Sequence, residues 1–548
     1  MLPKYLEKNI EQIDAADFKQ MLIIAGDYLE EAKEDINNLN VFPVPDGDTG
    51  TNMSLTLSDA IAELQKSDSD LVGELAEKLA KGALMGARGN SGVILSQLLK
   101  GFADGIGDAE VLTSQILAEA FEQAADKAYQ AVMKPVEGTI LTVAKDVGNK
   151  AQQLTEETNL VKFFKGLIKE AEESVKRTPQ LLDVLEEAGV VDAGGKGYQT
   201  FLTGLLYGMV TEEKVDYQQE GGKEQEVEIT EKELEFGYCT EFIIRDATVS
   251  INDFRELIAD YGDSLLVVEA DGILKVHIHT EHPGKVLEAG LKYGELTKIK
   301  IDNMAEQHQE LQEVEKDRVK EVDEVAEQKE DGLAVLAVAA GEGFKEIFSN
   351  LGVGYVLQGG QTMNPSTQDL VEGIEKLTAE QVIILPNNKN IISAAKQVKE
   401  LTTKEVEVVP TTTIPEGIGA MITFDPDGQL EEVSAEMSDE LEFIKTGQIT
   451  YATRDTKLNQ FEINDGDILG LVEGEIELVT SDYNQAVVEL VAEMIEDTDS
   501  LITVYAGQDV AKKEQEELVA DLKEEYSEFD IELYEGGQPI YYYLFSIE

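Results

Sequence analysis

A chain of 548 residues with 42% hydrophobic and 28% charged residues has an ordinary globular composition, long enough for about three or four domains that each bury a core. Its 45 basic against 110 acidic residues leave a formal charge of −65, which repels nucleic acid and anionic membrane alike. One cysteine excludes an internal disulfide framework. With no apolar leader at the N-terminus and no run long enough to span a bilayer, the expectation is a cytoplasmic protein without a transmembrane segment.

Residues 1–212 read as helical. Asp14 can start a helix in which Phe18, Met21, Leu22, Ala25, Leu29 and Ala32 recur at helical spacing. Similar stripes run through 55–64, 71–83, 93–102, 118–132, 160–175 and 198–209 with no convincing alternating strand among them. That pattern predicts an all-α bundle or helix barrel. Between the first two stripes stands Asn40-Val-Phe-Pro-Val-Pro-Asp46-Gly-Asp48-Thr-Gly-Thr-Asn52-Met53. Pro43 and Pro45 fix φ and push their predecessors into extended geometry, so the first helix must end before them. Gly47 lets Asp46 and Asp48 converge on one ion. Mg²⁺ takes one or two carboxylates and fills other positions with water and substrate phosphates. The backbone N–H groups of Thr49, Gly50, Thr51 and Asn52, opening the next helix, form a natural phosphate seat. The plainer alternative is a polar turn ahead of a helix.

Three further stretches share this character. Gly86-Ala-Arg88-Gly-Asn90-Ser91-Gly92 opens the helix from Val93, and its amides and the Ser91 hydroxyl can hold phosphate oxygens. It is not a Walker A motif, and a glycine packing device is the alternative. Thr139, in the Pro135–Leu141 stretch, reads as an ordinary N-cap. Asp192-Ala193-Gly194 precedes the helix at Tyr198.

Taken in order, these four stretches resemble the nucleotide-binding L domain of dihydroxyacetone kinases. The Asn40–Pro45 lead-in is closer still to the catalytic subunit of bacterial fatty acid kinase. The resemblance implies a helix barrel with Mg-ATP at one end. It assigns Asp46 and Asp48 to Mg²⁺ and to catalysis, with Asn40 near the place of a third, upstream aspartate, though the spacing differs by one residue. It assigns Thr49–Asn52, Asn90, Ser91 and Gly92 to phosphates, and Thr139, Asp192, Ala193 and Gly194 to the nucleotide pocket. Ala193 stands where the L domain has proline. Arg88 is placed to neutralise phosphate charge.

Residues 215–232 turn polar and read as a linker. A small α+β domain follows over 233–304, with strands at 237–244, 264–270 and 273–279 and helices at 252–261 and 283–291. The single cysteine, Cys239, and all four histidines, His277, His279, His282 and His308, fall in this window or just beyond it. Cys239, His277 and His279 on neighbouring predicted strands can bind Zn²⁺ tetrahedrally. An exposed histidine pair beside a buried core cysteine is the alternative. Residues 305–331 form a charged connector.

The last part, 330–548, alternates strands (333–339, 381–386, 406–409, 501–507) with helices and reads as an α/β domain of two related halves, 330–425 and 440–548. Gly359-Gly360-Gln361 echoes Gly536-Gly537-Gln538 across them. The loop 359–367 faintly resembles the Thr-Ser-x-Pro loop of DegV-type fatty-acid-binding proteins. Turn chemistry and N-capping are the favoured reading there and at 411–417.

The resemblance implies the ATP-binding subunit of a fatty acid kinase, forming acyl phosphate on a fatty acid held by a separate DegV-type carrier. One rival is a small polyol or ketone kinase whose histidine-bearing K-type subunit is a partner, since no histidine follows residue 308 here. The other is a nucleotide-sensing scaffold without turnover. A homodimer is left open.

Overall fold

The computed structural model describes residues 8–41, 47–132, 134–211, 238–245, 248–249, 251–258, 261–270, 273–303, 332–360, 364–458, 461–496 and 498–548. By contact the chain divides into two units: Lys8–Val215 with Glu324–Glu548, and Asp216–Asp323 with the first seven residues.

The larger unit begins with α1 (Ala15–Asn37), α2 (Thr49–Gln65), α3 (Val72–Met85), α4 (Gly89–Ile106), α5 (Ser114–Ala131), α6 (Ile140–Gln153), α7 (Leu160–Arg177), the short α8 (Asp183–Ala188) and α9 (Ala193–Val210). Asp14 caps α1 through the Asp17 N–H, and Phe18, Met21, Leu22, Ala25 and Leu29 all face the core. The stripes read from the sequence correspond to α1–α5, α7 and α9. At α6 the local pattern shows only the cap. Each long helix packs on the next, and α9 closes back on α1, so the helices form a ring. Small residues set the close approaches: a Cβ at Gly204 or Gly208 would stand 2.5 Å from the Cα of Ala25 or Met21. Those pairings run antiparallel, as do Gly101 and Gly105 of α4 against Ala124 and Ala120 of α5. Chain reversal at every turn therefore leaves α2, α4, α6 and α9 pointing the same way, with their N-termini at one end of the ring.

In the smaller unit, β1 (Tyr238–Arg245), β2 (Gly262–Ala270), β3 (Ile273–Thr280) and β4 (Glu295–Asn303) make an antiparallel sheet in the order β2-β3-β1-β4. Helices α10 (Ile251–Ile258) and α11 (Pro283–Leu291) belong to the same unit, and Phe242, Ile244, Phe254, Leu274, Val276 and Val286 form its core. The strand β4 adds to those expected from the sequence; its Ile299 and Ile301 alternate with lysines and remain exposed. The Cα register places Cys239 opposite His279 and Glu241 opposite His277. The side chains of Cys239, His277 and His279, on which the zinc expectation depends, lie outside the described residues, as do the linker and connector.

The rest of the larger unit holds two sheets. One is parallel, in the order β6-β5-β7-β8, from Tyr355–Gln358, Leu333–Ala339, Gln381–Leu385 and Glu405–Val408. The other is six-stranded and mixed, in the order β13-β12-β9-β16-β14-β15, from Glu475–Thr480, Ile468–Val472, Lys445–Tyr451, Tyr543–Ile547, Leu501–Ala506 and Asp530–Glu535. The hairpin β10–β11 (Thr456–Leu458, Phe461–Ile463) projects after β9. The two halves share one motif: β5, the helix Glu342–Asn350 and β6 form a parallel βαβ unit, as do β14, the helix Lys512–Glu525 and β15. Each unit is followed by Gly-Gly-Gln. Leu333, Val335, Phe344, Tyr505, Tyr541 and Leu544 pack between the halves.

Candidate functional site

All four sequence motifs stand at the N-terminal ends of the parallel helices. Gly89 and Gly92, at the start of α4, lie against Asn52 and Thr56 of α2. Gly194 of α9 lies against Ile140 of α6, and Gly197 lies against Met53 of α2. One end of the ring thus gathers the positive ends of several helix dipoles, which favours anions there.

On the α2–α4 side, Asp48 is half-buried and leads into α2. The Thr49 hydroxyl donates to Asn40 Oδ1 at 2.8 Å, and the Ser91 hydroxyl approaches Thr49 Oγ1 at 3.5 Å. Asn40, Asp48, Thr49 and Ser91 are thereby brought together, whereas Asp46 lies outside the described residues. The expected phosphate seat on α2 needs correction. Asn37, at the end of α1, accepts from the N–H groups of Gly50 (2.8 Å) and Thr51 (3.2 Å) and donates to the Thr51 hydroxyl (3.0 Å). The Asn52 N–H donates to the Asp48 carbonyl at 2.8 Å. Gly50, Thr51 and Asn52 therefore spend their N–H groups within the protein and leave none of the three to seat a phosphate. Asn37 is absent from the candidates that the sequence offers; its one local signal is an Asn-Asn pair closing a helix.

Three other expectations also change. Arg88 does not point at an open anion site, because it pairs with Asp59 at 2.7 Å and contacts the Gly86 carbonyl. The Asn90 amide is engaged by the C-terminal half: Ser393 donates to its Oδ1 at 2.6 Å, and its Nδ2 donates to Asn390 at 3.4 Å. Gly92 is a packing glycine, since a Cβ there would collide with Thr56 Oγ1.

On the α6–α9 side, Thr139 caps α6, accepting from the Leu141 N–H at 3.4 Å and donating to the Val136 carbonyl at 2.8 Å. Asp192 caps α9 through the Gly195 N–H at 2.6 Å. Burial pushes the Asp192 carboxyl up to about 6, opposed by the N–H groups of Gly195 and Ile140. This carboxylate therefore ties the starts of α9 and α6 together, and Ala193 and Gly194 are buried in the same joint.

The C-terminal half reaches this end of the ring as well. Asn364, in the 359–367 loop, donates from Nδ2 to Asp48 Oδ2, and its buried Oδ1 has no partner among the described residues. Arg454 donates to the carbonyls of Asn38, Asn40 and Val41. Thr367 donates through its N–H to the Ala87 carbonyl at 3.0 Å. In the same loop Ser366 and Asp369 form a capping box, in keeping with turn and cap chemistry there, and Thr413 caps the helix Ile414–Ala420. Both loops border a cleft lined by Gly359, Gly360, Asn387, Thr412, Gln448 and Gln538 among others.

The Asp48 carboxylate, the Asn40 amide oxygen and the Thr49 hydroxyl are hard oxygen donors, and Asn364, bonded to Asp48, has a buried oxygen with no partner among the described residues. Such a set fits Mg²⁺, which keeps several waters and few protein ligands.

Three family models match the chain in order: the DAK2 domain over residues 43–207, the FakA-like middle domain of fatty acid kinases over 235–311, and the FakA-like C-terminal model over 334–548. Uncharacterized proteins of Staphylococcus aureus strains MRSA252 and USA300 are each 42% identical over 552 residues, covering 98% of this chain and 100% of their own. Among solved structures, a DegV family protein of Corynebacterium glutamicum aligns at 14% identity and a TM-score of 0.31, over 39% of this chain and 96% of its own. DegV of Bacillus subtilis, a fatty acid binding protein, aligns at 11% and 0.30, over 40% of this chain and 98% of its own. Likeness at that level carries no fold assignment.

Proposed function

Because the chain belongs to the FakA-like family of fatty acid kinases, we propose that it is an ATP-dependent kinase component that phosphorylates the carboxylate of a fatty acid. A separate carrier protein of DegV type would hold that fatty acid. The observation that carries this reading is Asp48 at the start of α2, linked through Thr49 to Asn40 and Ser91 where helix N-termini converge. In phosphoryl transfer the protein mainly positions groups and offsets charge. Asp48, Asn40 and Asp46 would hold Mg²⁺, which when bound supplies charge neutralisation on the phosphates. Thr49, Ser91 and the first-turn N–H groups of α4 would orient the terminal phosphate. Thr139 and Asp192 would shape the far side of the nucleotide pocket from the joint they brace. A carboxylate oxygen of the fatty acid then attacks the γ-phosphorus; the bond to the β,γ-bridging oxygen breaks, leaving acyl phosphate and ADP.

A carrier also suits the charge. A protein at −65 approaches a micelle or anionic membrane poorly, whereas a carrier buries the alkyl chain and presents only the carboxylate. The test measures acyl phosphate from Mg-ATP with free fatty acid and with carrier-bound fatty acid, for the wild type and for Asp48→Asn. Carrier-dependent turnover, lowered on the order of 10³-fold in Asp48→Asn, is expected. Wild-type turnover in that variant at limiting Mg²⁺ removes the metal assignment. Equal rates with free and carried acid remove the carrier.

A further inference from the structure

The C-terminal half holds the chain at two points, Asn38–Val41 and Asp48. On the entering side, Arg454 follows β9 and donates from Nη1 to the Asn38 carbonyl and from Nη2 to the carbonyls of Asn40 and Val41. The last turn of α1 has no basic residue of its own. The carbonyl of its C-cap residue, Asn38, is instead met by a guanidinium 416 positions along the chain. Val41 also packs on the cluster of Ala452, Leu458 and Ile463. On the leaving side, Asn364 is 2% exposed and donates to Asp48, while its own buried Oδ1 has no partner among the described residues.

The geometry points to the C-terminal α/β half as a working part of the metal and phosphate end, with Arg454 and Asn364 as positioning residues of its loop. This rests on the reading of Asp48 as a magnesium ligand. Arg454 has the chemistry for the task, because a planar fork of N–H donors spans several carbonyls where a lysine ammonium acts as a point charge. Asn364 orients a ligand carboxylate as outer-shell donors do, and removing such partners commonly costs 10- to 100-fold in affinity. Its buried Oδ1, without a partner among the described residues, would be free to accept from a water beside the ion. Neither residue needs to touch nucleotide. Each fixes where Asp48 and Asn40 stand before nucleotide arrives.

Two measurements on the full-length protein test this, using the wild type, Arg454→Ala, Arg454→Lys, Asn364→Ala and Asp48→Asn. One is amide hydrogen exchange without metal or nucleotide. The other is the affinity for a non-hydrolysable ATP analogue as Mg²⁺ is varied. Arg454→Ala and Asn364→Ala should speed exchange across residues 38–53 while protection elsewhere holds, and should weaken Mg²⁺-dependent binding about 10- to 100-fold. Arg454→Lys should fall between, and it carries the test with Asn364→Ala if Arg454→Ala does not fold. Wild-type affinity in the Arg454 and Asn364 variants, with binding lost in Asp48→Asn, overturns the positioning role alone. So does exchange that quickens throughout the molecule. Full Mg²⁺-dependent binding in Asp48→Asn instead sinks the metal reading, and this inference with it.

Discussion

At Asp192 a single side chain serves two helices and carries a cost for it. Its folded carboxyl titrates near 6, against 3.8 for the unperturbed group, because burial outweighs the N–H groups that hold the charged form. A raised carboxyl value means that the folded state keeps its proton more tightly than the unfolded chain. This group therefore favours folding below about pH 4, and that contribution fades as pH rises to about 6. Asparagine keeps an acceptor for the Gly195 N–H and removes the buried charge. We expect Asp192→Asn to stabilise the protein at pH 8 by on the order of 1–3 kcal/mol and to give no gain near pH 4. Denaturant unfolding at both pH values checks this; an Asp192→Asn protein less stable than wild type at pH 8 would show that the N–H groups dominate. At this scale Asp48, Thr49 and Ser91 were legible as candidates, because carboxylates, hydroxyls and glycines at a helix start are a local pattern. Asn364 and Arg454 were not, because a hydrogen bond spanning 316 or 416 residues leaves no spacing to read, and neither was Asn37, whose bond to the Gly50 N–H runs from one helix to the next.

At the scale of elements, α2 owes its N-terminus to its neighbour. Its N-cap, Asp48, makes no side-chain capping bond, and Asn37 of α1 receives two of the orphan N–H groups instead. Gly50 permits this by letting α2 pass against the Lys33 carbonyl oxygen, where a Cβ would not fit. Replacing Asn37 with alanine should cost about 1–2 kcal/mol, as losing a cap does, and should raise exchange at Gly50 and Thr51. Unchanged stability with unchanged protection at those amides would mean that water replaces the asparagine without penalty. The repeated βαβ units show the same reliance on partners. Gly341 and Gly343 of the first unit lie directly against the Glu535–Gly536 carbonyls that end the second, so the repeat in the sequence becomes a contact in the fold.

Across the whole molecule, a charge of −65 works against compactness through self-repulsion. Many of the described ion pairs are exposed, among them Lys176 with Glu172, Lys457 with Glu462 and Lys512 with Glu535, and such pairs contribute little. Screening should therefore help more than it harms. We expect the melting temperature to rise as salt is increased from about 0.05 M to about 1 M, over which the screening length falls well below the size of the molecule. A flat or falling curve, measured by calorimetry in chloride salts of both sodium and potassium, would place the stabilising balance in the ion pairs instead.

The sequence by itself determined the helical first part, the strand-and-helix alternation of the last, and the residue types at each helix start. Those features follow from periodicity, capping and turn chemistry within a few positions of one another. It also showed the echo between the two Gly-Gly-Gln segments, though not that both close βαβ units packed face to face. Only the tertiary structure decided that α2, α4, α6 and α9 present their N-termini at one end, since that depends on antiparallel packing around a closed ring. It alone decided that the α2 amides are taken by Asn37 and that Asp192 turns inward to join two helices. It alone brought Arg454 and Asn364 onto the loop holding Asp48, because long-range pairing is set by packing of the whole unit and not by any local pattern.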